Sequence, residues 1–184
     1  MKLKTRQKII SAALSEVNRN PEATLDHIAV AAGVSRITVF RYFSNRQQLI
    51  FALKQEASRI FLECVGPLVG ADLPADMKLR KLVEVMIPYG ATFRFLLYEP
   101  YRSSDPRNTL LVQEYRDTLH HVVRGLATEE LLGTRSSTWW AMRQLDTLLW
   151  MAWDAIDQGE LDPHAAQELL LRTFYHGVGC GGRT

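Results

Sequence analysis

The sequence predicts an all-α protein: a small N-terminal unit of three helices followed by a larger helical body. Three observations predict it. Apolar residues recur at three- and four-residue steps along nearly the whole chain, the spacing of one face of a helix. No stretch alternates apolar and polar residues as a half-buried strand would, and turn-forming residues fall mainly between the periodic segments.

The first helix is predicted at about residues 3–18, with Ile9, Ile10, Ala13, Leu14 and Val17 on its inner face. The stretch NRNPEA ends it. Thr24 then caps a short second helix carrying Leu25, Ile28, Ala29 and Ala32, and Asp26 lies near the positive end of its dipole. Gly33 stands where a helix stop favours a left-handed residue. Ser35 caps the third helix. A fourth is predicted from about Ser44 to about Val65. GPLVGADLPA, residues 66–75, is the clearest break in the chain. Further helices follow at about 76–97 (kinked near Pro88 and Gly90), 105–127, 136–158 and 163–178. The last opens after Gly159, with Asp162 as cap and Pro163 in the first turn. We place the first domain at residues 1–46 and the second at 47–184, the fourth helix linking them.

Composition bounds the function. With 47% hydrophobic and 23% charged residues in 184, the chain is globular. Its two cysteines, Cys64 and Cys180, lie far apart and have no partners at zinc spacing, so the expectation is a reducing compartment with Cys64 as a small core residue. No apolar run is long enough to span a bilayer or to serve as a leader, which predicts a soluble, cytoplasmic protein without a membrane partner. Residues 1–59 carry ten Lys/Arg against four Asp/Glu, a net of +6, and the remainder carries 12 against 16. A basic end on an otherwise mildly acidic chain points to a polyanion at that end.

The segment AAGVSRITVFRYF, residues 31–43, gathers these features. Two helices joined by a tight turn containing glycine form a helix-turn-helix. On a helical wheel Val39, Phe40 and Phe43 fall on one side, to bury against the first two helices. Ile37, Thr38, Arg41 and Tyr42 fall on the other. A short helix supported from behind, with arginine and hydroxyl groups in front, fits the major groove of DNA. Arginine can pair bidentately with guanine, and Thr38, Tyr42 and Arg46 carry donors for phosphate oxygens.

With those residues in view, ATLDHIAVAAGVSRITVFRYFSNRQQLIFAL resembles the DNA-binding segment of TetR-like (tetracycline-repressor-type) transcriptional regulators. The likeness is strong over about residues 5–55, and DQGELDPHAAQELLLRTFYHGV more weakly resembles the family's last helix pair. The resemblance implies a two-domain homodimer that binds a palindromic double-stranded operator and answers to a small-molecule effector, as a repressor released by that molecule. It implies no cofactor, no metal and no catalytic residue. Carried onto this chain, Thr24 and Ser35 cap the helices of the motif, with Thr24 touching phosphate. Arg36, Ile37, Thr38 and Arg41 face bases or flanking phosphates, Phe40 stands beside them, and Tyr42 and Arg46 clamp the backbone. Lys2, Lys4 and Arg6 form a basic arm. Three residues depart from the family pattern: Ile37 for the usual glycine, Phe40 for a common tyrosine, and Arg46 for a lysine. Ile37 either meets a thymine methyl or limits how closely the backbone approaches, and the sequence leaves both open.

In the larger half, the helix at 136–158 is too apolar all round for a surface element. Leu149, Trp153 and Ile156, with Leu170 and Phe174 of the last helix, are the expected dimer interface. Tyr89, Phe93, Phe95 and Tyr98, with Trp139 and Met142, are the expected lining of an effector cavity. The alternative reading is a helical protein-interaction module whose helix-turn-helix no longer touches DNA. An enzyme is disfavoured, because no P-loop, nucleophile elbow, zinc-protease motif or dinucleotide fingerprint is present.

Overall fold

The structure, a computed structural model, describes residues 2–90, 92–94, 106–133 and 136–178. Among these residues the helices are α1 (Lys2–Arg19), α2 (Leu25–Ala31), α3 (Arg36–Tyr42), α4 (Arg46–Val69), α5 (Ala75–Met86), α6 (Pro106–Thr128), α7 (Thr138–Asp157) and α8 (Pro163–Val178), with a 3-10 turn at Ile87–Tyr89. The all-α expectation holds, and most boundaries fall within a few residues of the periodicity. None of these helices is long and apolar enough to cross a membrane.

The chain forms two compact units. The first contains residues 1–60 and 91–112. Its core joins Ile9, Ile10, Ala13 and Val17 of α1, Leu25, Ile28 and Ala29 of α2, Val39 and Phe43 around α3, and Leu49, Ile50 and Leu53 of α4. Burying each large aliphatic contributes roughly 1.5–3 kcal/mol. This cluster corrects the boundary expected after residue 46: the opening turns of α4 complete the N-terminal core and belong to its unit. The helix also passes through Gly66 and Pro67 to Val69, past the break expected at 66. A proline near a helix end removes one backbone donor without ending the remaining turn. Lys4 and Arg6 lie within α1, so the expected basic arm is the first turns of a helix, and Arg6 stacks over the Phe43 ring at 5.7 Å.

The second unit contains residues 61–90 and 113–184. Its core draws on Leu79, Leu82, Val83 and Met86 of α5, Leu119, Val122 and Leu126 of α6, Leu145, Leu149 and Trp153 of α7, and Leu170 and Phe174 of α8. Two polar contacts tie it. The Trp153 indole N–H donates to the Met86 carbonyl at 3.3 Å. The Glu129 carboxylate accepts from the Ala75 backbone N–H with both oxygens at 3.0 Å, capping α5 from a distant element. The stop and restart at 157–165 is as read: Gly159 has φ +74°, and Asp162 Oδ1 accepts from the His164 and Ala165 N–H groups. Those bonds favour the ionised carboxyl and hold its pKa below the usual value. Cys64 is a free, half-buried thiol, and Cys180 lies outside the described residues.

Candidate nucleic-acid interface

The local sequence builds the motif by capping. The Thr24 side chain accepts from the His27 N–H while His27 Nδ1 accepts from the Thr24 N–H, each at 3.3 Å, a reciprocal box that starts α2. After Ala32 the chain turns at Gly33, φ +57°, a value that strains any residue with a Cβ. Ser35 Oγ accepts from the Thr38 N–H at 3.2 Å and starts α3. Its hydroxyl also meets Thr38 Oγ1 at 2.9 Å. Two caps and one left-handed glycine, all local in sequence, therefore define the turn between α2 and α3.

The α3 helix is propped from one side. Val39 is fully buried and Phe43 nearly so. Arg36, Ile37 and Arg41 are exposed, and Thr38 and Tyr42 are half-buried. Tyr42 packs its ring on the core edge, with the Arg41 guanidinium 5.6 Å above it. The expected burial of Phe40 is corrected: it is 40% exposed. Val39 pairs with Phe43 one turn on, whereas Phe40 lies one turn beyond Arg36 and Ile37, on their face. The Arg36 guanidinium stacks over its ring at 5.2 Å, and Arg36 Nε pairs with Asp26 Oδ1 of α2 at 3.0 Å. That ion pair is solvated on both sides and contributes little stability. It orients the arginine.

Arg46, expected to clamp the DNA backbone, is engaged within its own unit. Its guanidinium donates to the carbonyls of Pro21 and of Ala23, the latter at 3.3 Å. These orphan carbonyls sit in the loop before α2, so Arg46 ties α4 to that loop. Sequence reasoning missed this because the partner lies 25 residues upstream.

Of the residues expected to line an effector cavity, Tyr89, Phe93, Trp139 and Met142 are among the described residues. Phe93 is buried in the first unit. Tyr89, Trp139 and Met142 belong to the second. Tyr89 is partly exposed and Trp139 mostly so, and the Arg143 guanidinium lies over the Trp139 ring at 5.7 Å. Trp139 is thus a surface residue at the start of α7, a correction. Phe95 and Tyr98 lie outside the described residues. The interface reading is also corrected: Leu149, Trp153, Leu170 and Phe174 are buried within their own chain and Ile156 is half-buried. A side chain with no accessible surface has none to offer a partner. The apolar residues that α7 and α8 leave uncovered are Trp139, Trp140, Met151 and Leu169.

One buried polar pair was not anticipated. Tyr115 of α6 is 2% exposed, and its hydroxyl and Asp146 Oδ1 of α7 face each other with no partner beyond the pair. Burial pushes the Asp146 carboxyl up to about 6, against the opposing pull of Arg143 and Arg116. Burial beside that carboxyl pushes the Tyr115 phenol well up. The visible signal was a lone acid at position 146 inside an apolar run.

Comparison with known proteins agrees with this geometry. The family model described as bacterial regulatory proteins of the tetR family matches residues 9–53. The HTH-type transcriptional repressor LfrR of Mycolicibacterium smegmatis is 29% identical over 178 residues, spanning 95% of this chain and 90% of that protein. A crystal structure of LfrR from Mycobacterium smegmatis in complex with proflavine superposes with a TM-score of 0.79 at 27% identity, covering 94% of this chain and 95% of that one. AibR, solved with isovaleryl coenzyme A and operator DNA, shares the fold at a TM-score of 0.77 and 14% identity, over 93% of this chain and 98% of its own.

Proposed function

We propose, from the match of residues 9–53 to the tetR family of bacterial regulatory proteins and the likeness to LfrR, that the chain is a dimeric repressor whose α3 helices enter successive major grooves of a palindromic operator and leave it when a small molecule binds the body. It is a DNA-binding transcriptional regulator and acts by binding rather than catalysis, in the cytoplasm. The observation that carries this reading is the division of α3: Val39 and Phe43 anchor it from behind, and Arg36, Ile37, Phe40 and Arg41 face outward. Arg41 and Thr38 supply base or phosphate contacts, Thr24 and Ser35 sit at the helix starts facing the backbone, and Tyr42 supports Arg41.

The dimer places two such heads about one helical repeat apart, roughly 34–36 Å. We assign its interface to the uncovered apolar positions Trp140 and Met151 of α7 and Leu169 of α8. Positions 140, 147, 151 and 154 share one stripe of α7, the arrangement of a helical bundle seam. For the effector, LfrR with proflavine and AibR with isovaleryl coenzyme A support a small organic molecule. The buried Tyr115 hydroxyl and the Asp146 Oδ1 beside it are the polar groups we assign to its recognition.

The test is selection from a random duplex library with the purified protein. The reading predicts enrichment of an inverted repeat, with affinity falling steeply as salt rises. No enrichment of any duplex at low salt would leave the interaction-module reading in its place.

A further inference from the structure

The outer face of α3 carries two apolar side chains that its own unit does not cover. Ile37 is 78% exposed and Phe40 is 40% exposed, and at i, i+3 they lie side by side. They are bracketed by the exposed arginines Arg36 and Arg41. Arg36 is drawn aside, held by Asp26 at 3.0 Å and laid over the Phe40 ring at 5.2 Å. The centre of the face is therefore apolar and its margins cationic, within a segment of net charge +6.

That pattern matches one feature of duplex DNA. The major groove presents hydrogen-bonding edges at every base and a single apolar group, the C5 methyl of thymine. Isoleucine and phenylalanine set against guanine, adenine or cytosine edges would desolvate donors and acceptors without replacing their hydrogen bonds, a penalised arrangement. Against a thymine methyl the same side chains exclude water at no such cost.

Resting on the regulator reading above, we propose that Ile37, supported by Phe40, is a specificity-determining residue that selects one or two thymines per half-site through their C5 methyl groups, while Asp26 holds Arg36 to the side of that contact. A buried methyl is worth about fourfold in affinity. The preference is thus distributed over single methyl contacts.

The experiment replaces each thymine of the selected operator, one position at a time, with deoxyuridine, which lacks only the methyl. Affinities are measured by fluorescence anisotropy for the wild type, Ile37→Ala and Phe40→Ala. Alanine preserves the helix, and circular dichroism confirms folding. The wild type is expected to lose about fourfold at one or two positions in each half-site, and Ile37→Ala to show no uracil penalty at one of them. A wild type indifferent to every methyl overturns the proposal while leaving the regulator reading intact. So does a uracil penalty that persists undiminished in both variants. A wild type that selects no duplex overturns both.

Discussion

Replacing Asp146 with asparagine should stabilise the protein at neutral pH and do so progressively less as the pH falls. The carboxyl sits on α7 against Tyr115 of α6, with its Oδ1 facing the Tyr115 hydroxyl and its Oδ2 3.9 Å from Arg143 Nη1. Desolvation is the largest influence and raises the pKa from 3.8 to about 6. The folded state therefore prefers the protonated form. Stability from that preference is fully present below the unfolded value, declines as the pH rises from about 4 to 6, and is lost above it. A shift of about two units corresponds to about 3 kcal/mol at most. Asparagine keeps the shape and does not titrate. The difference in stability between Asp146→Asn and the wild type should thus widen by about 2–3 kcal/mol between pH 4 and pH 7.5. In a chain of this size that is roughly 5–10 °C in melting temperature. Thermal denaturation followed by circular dichroism at the two pH values measures it. Parallel melting curves, with the same difference at both, would refute the account of Asp146 as a desolvated acid.

Other residues offer sharper local tests. Arg46→Ala removes donors from two loop carbonyls and should cost about 1–2 kcal/mol in urea denaturation, with Arg46→Lys losing less. Gly90→Ala would put a methyl 2.5 Å from Cδ1 of the buried Trp153 ring, which the indole bond to Met86 holds in place; a loss of about 1–3 kcal/mol is expected from the same melts. Met151→Glu places a charge in the proposed dimer seam and should sediment as a folded monomer at concentrations where the wild type is dimeric. Ser35→Ala removes the cap of α3 and should lower stability by about 1 kcal/mol and weaken operator binding in the same variant.

What the sequence revealed and what it hid divide along a physical line. Helix positions were legible because periodicity records which face is apolar. Thr24, Gly33 and Ser35 were legible because caps and left-handed turns depend on residues one to three positions away. Of the set the same wheel turned outward, Ile37 and Arg41 are exposed and Thr38 and Tyr42 are half-buried. Phe40 was misplaced because an aromatic beside Val39 and Phe43 reads as core, yet 100° of helical rotation carries it toward Ile37. The tie from Arg46 to the Pro21 and Ala23 carbonyls was hidden because those partners are distant in sequence. Leu149, Trp153, Leu170 and Phe174 were assigned to an interface because apolar spacing reports that a face is covered, not which chain covers it. Asp146 shows the converse: a single acid in an apolar helix is visible in sequence, and only the fold reveals Tyr115 opposite it.

The central claim is that the exposed flank of α3 is the surface that meets DNA. Operator affinity of the Thr38→Ala/Arg41→Ala double variant, measured by anisotropy at the salt concentration where the wild type is half saturated, tests it most directly. The account predicts a loss of at least thirtyfold, about 2 kcal/mol, with an unchanged melting temperature and a shallower dependence on salt. Wild-type affinity in that variant would contradict it.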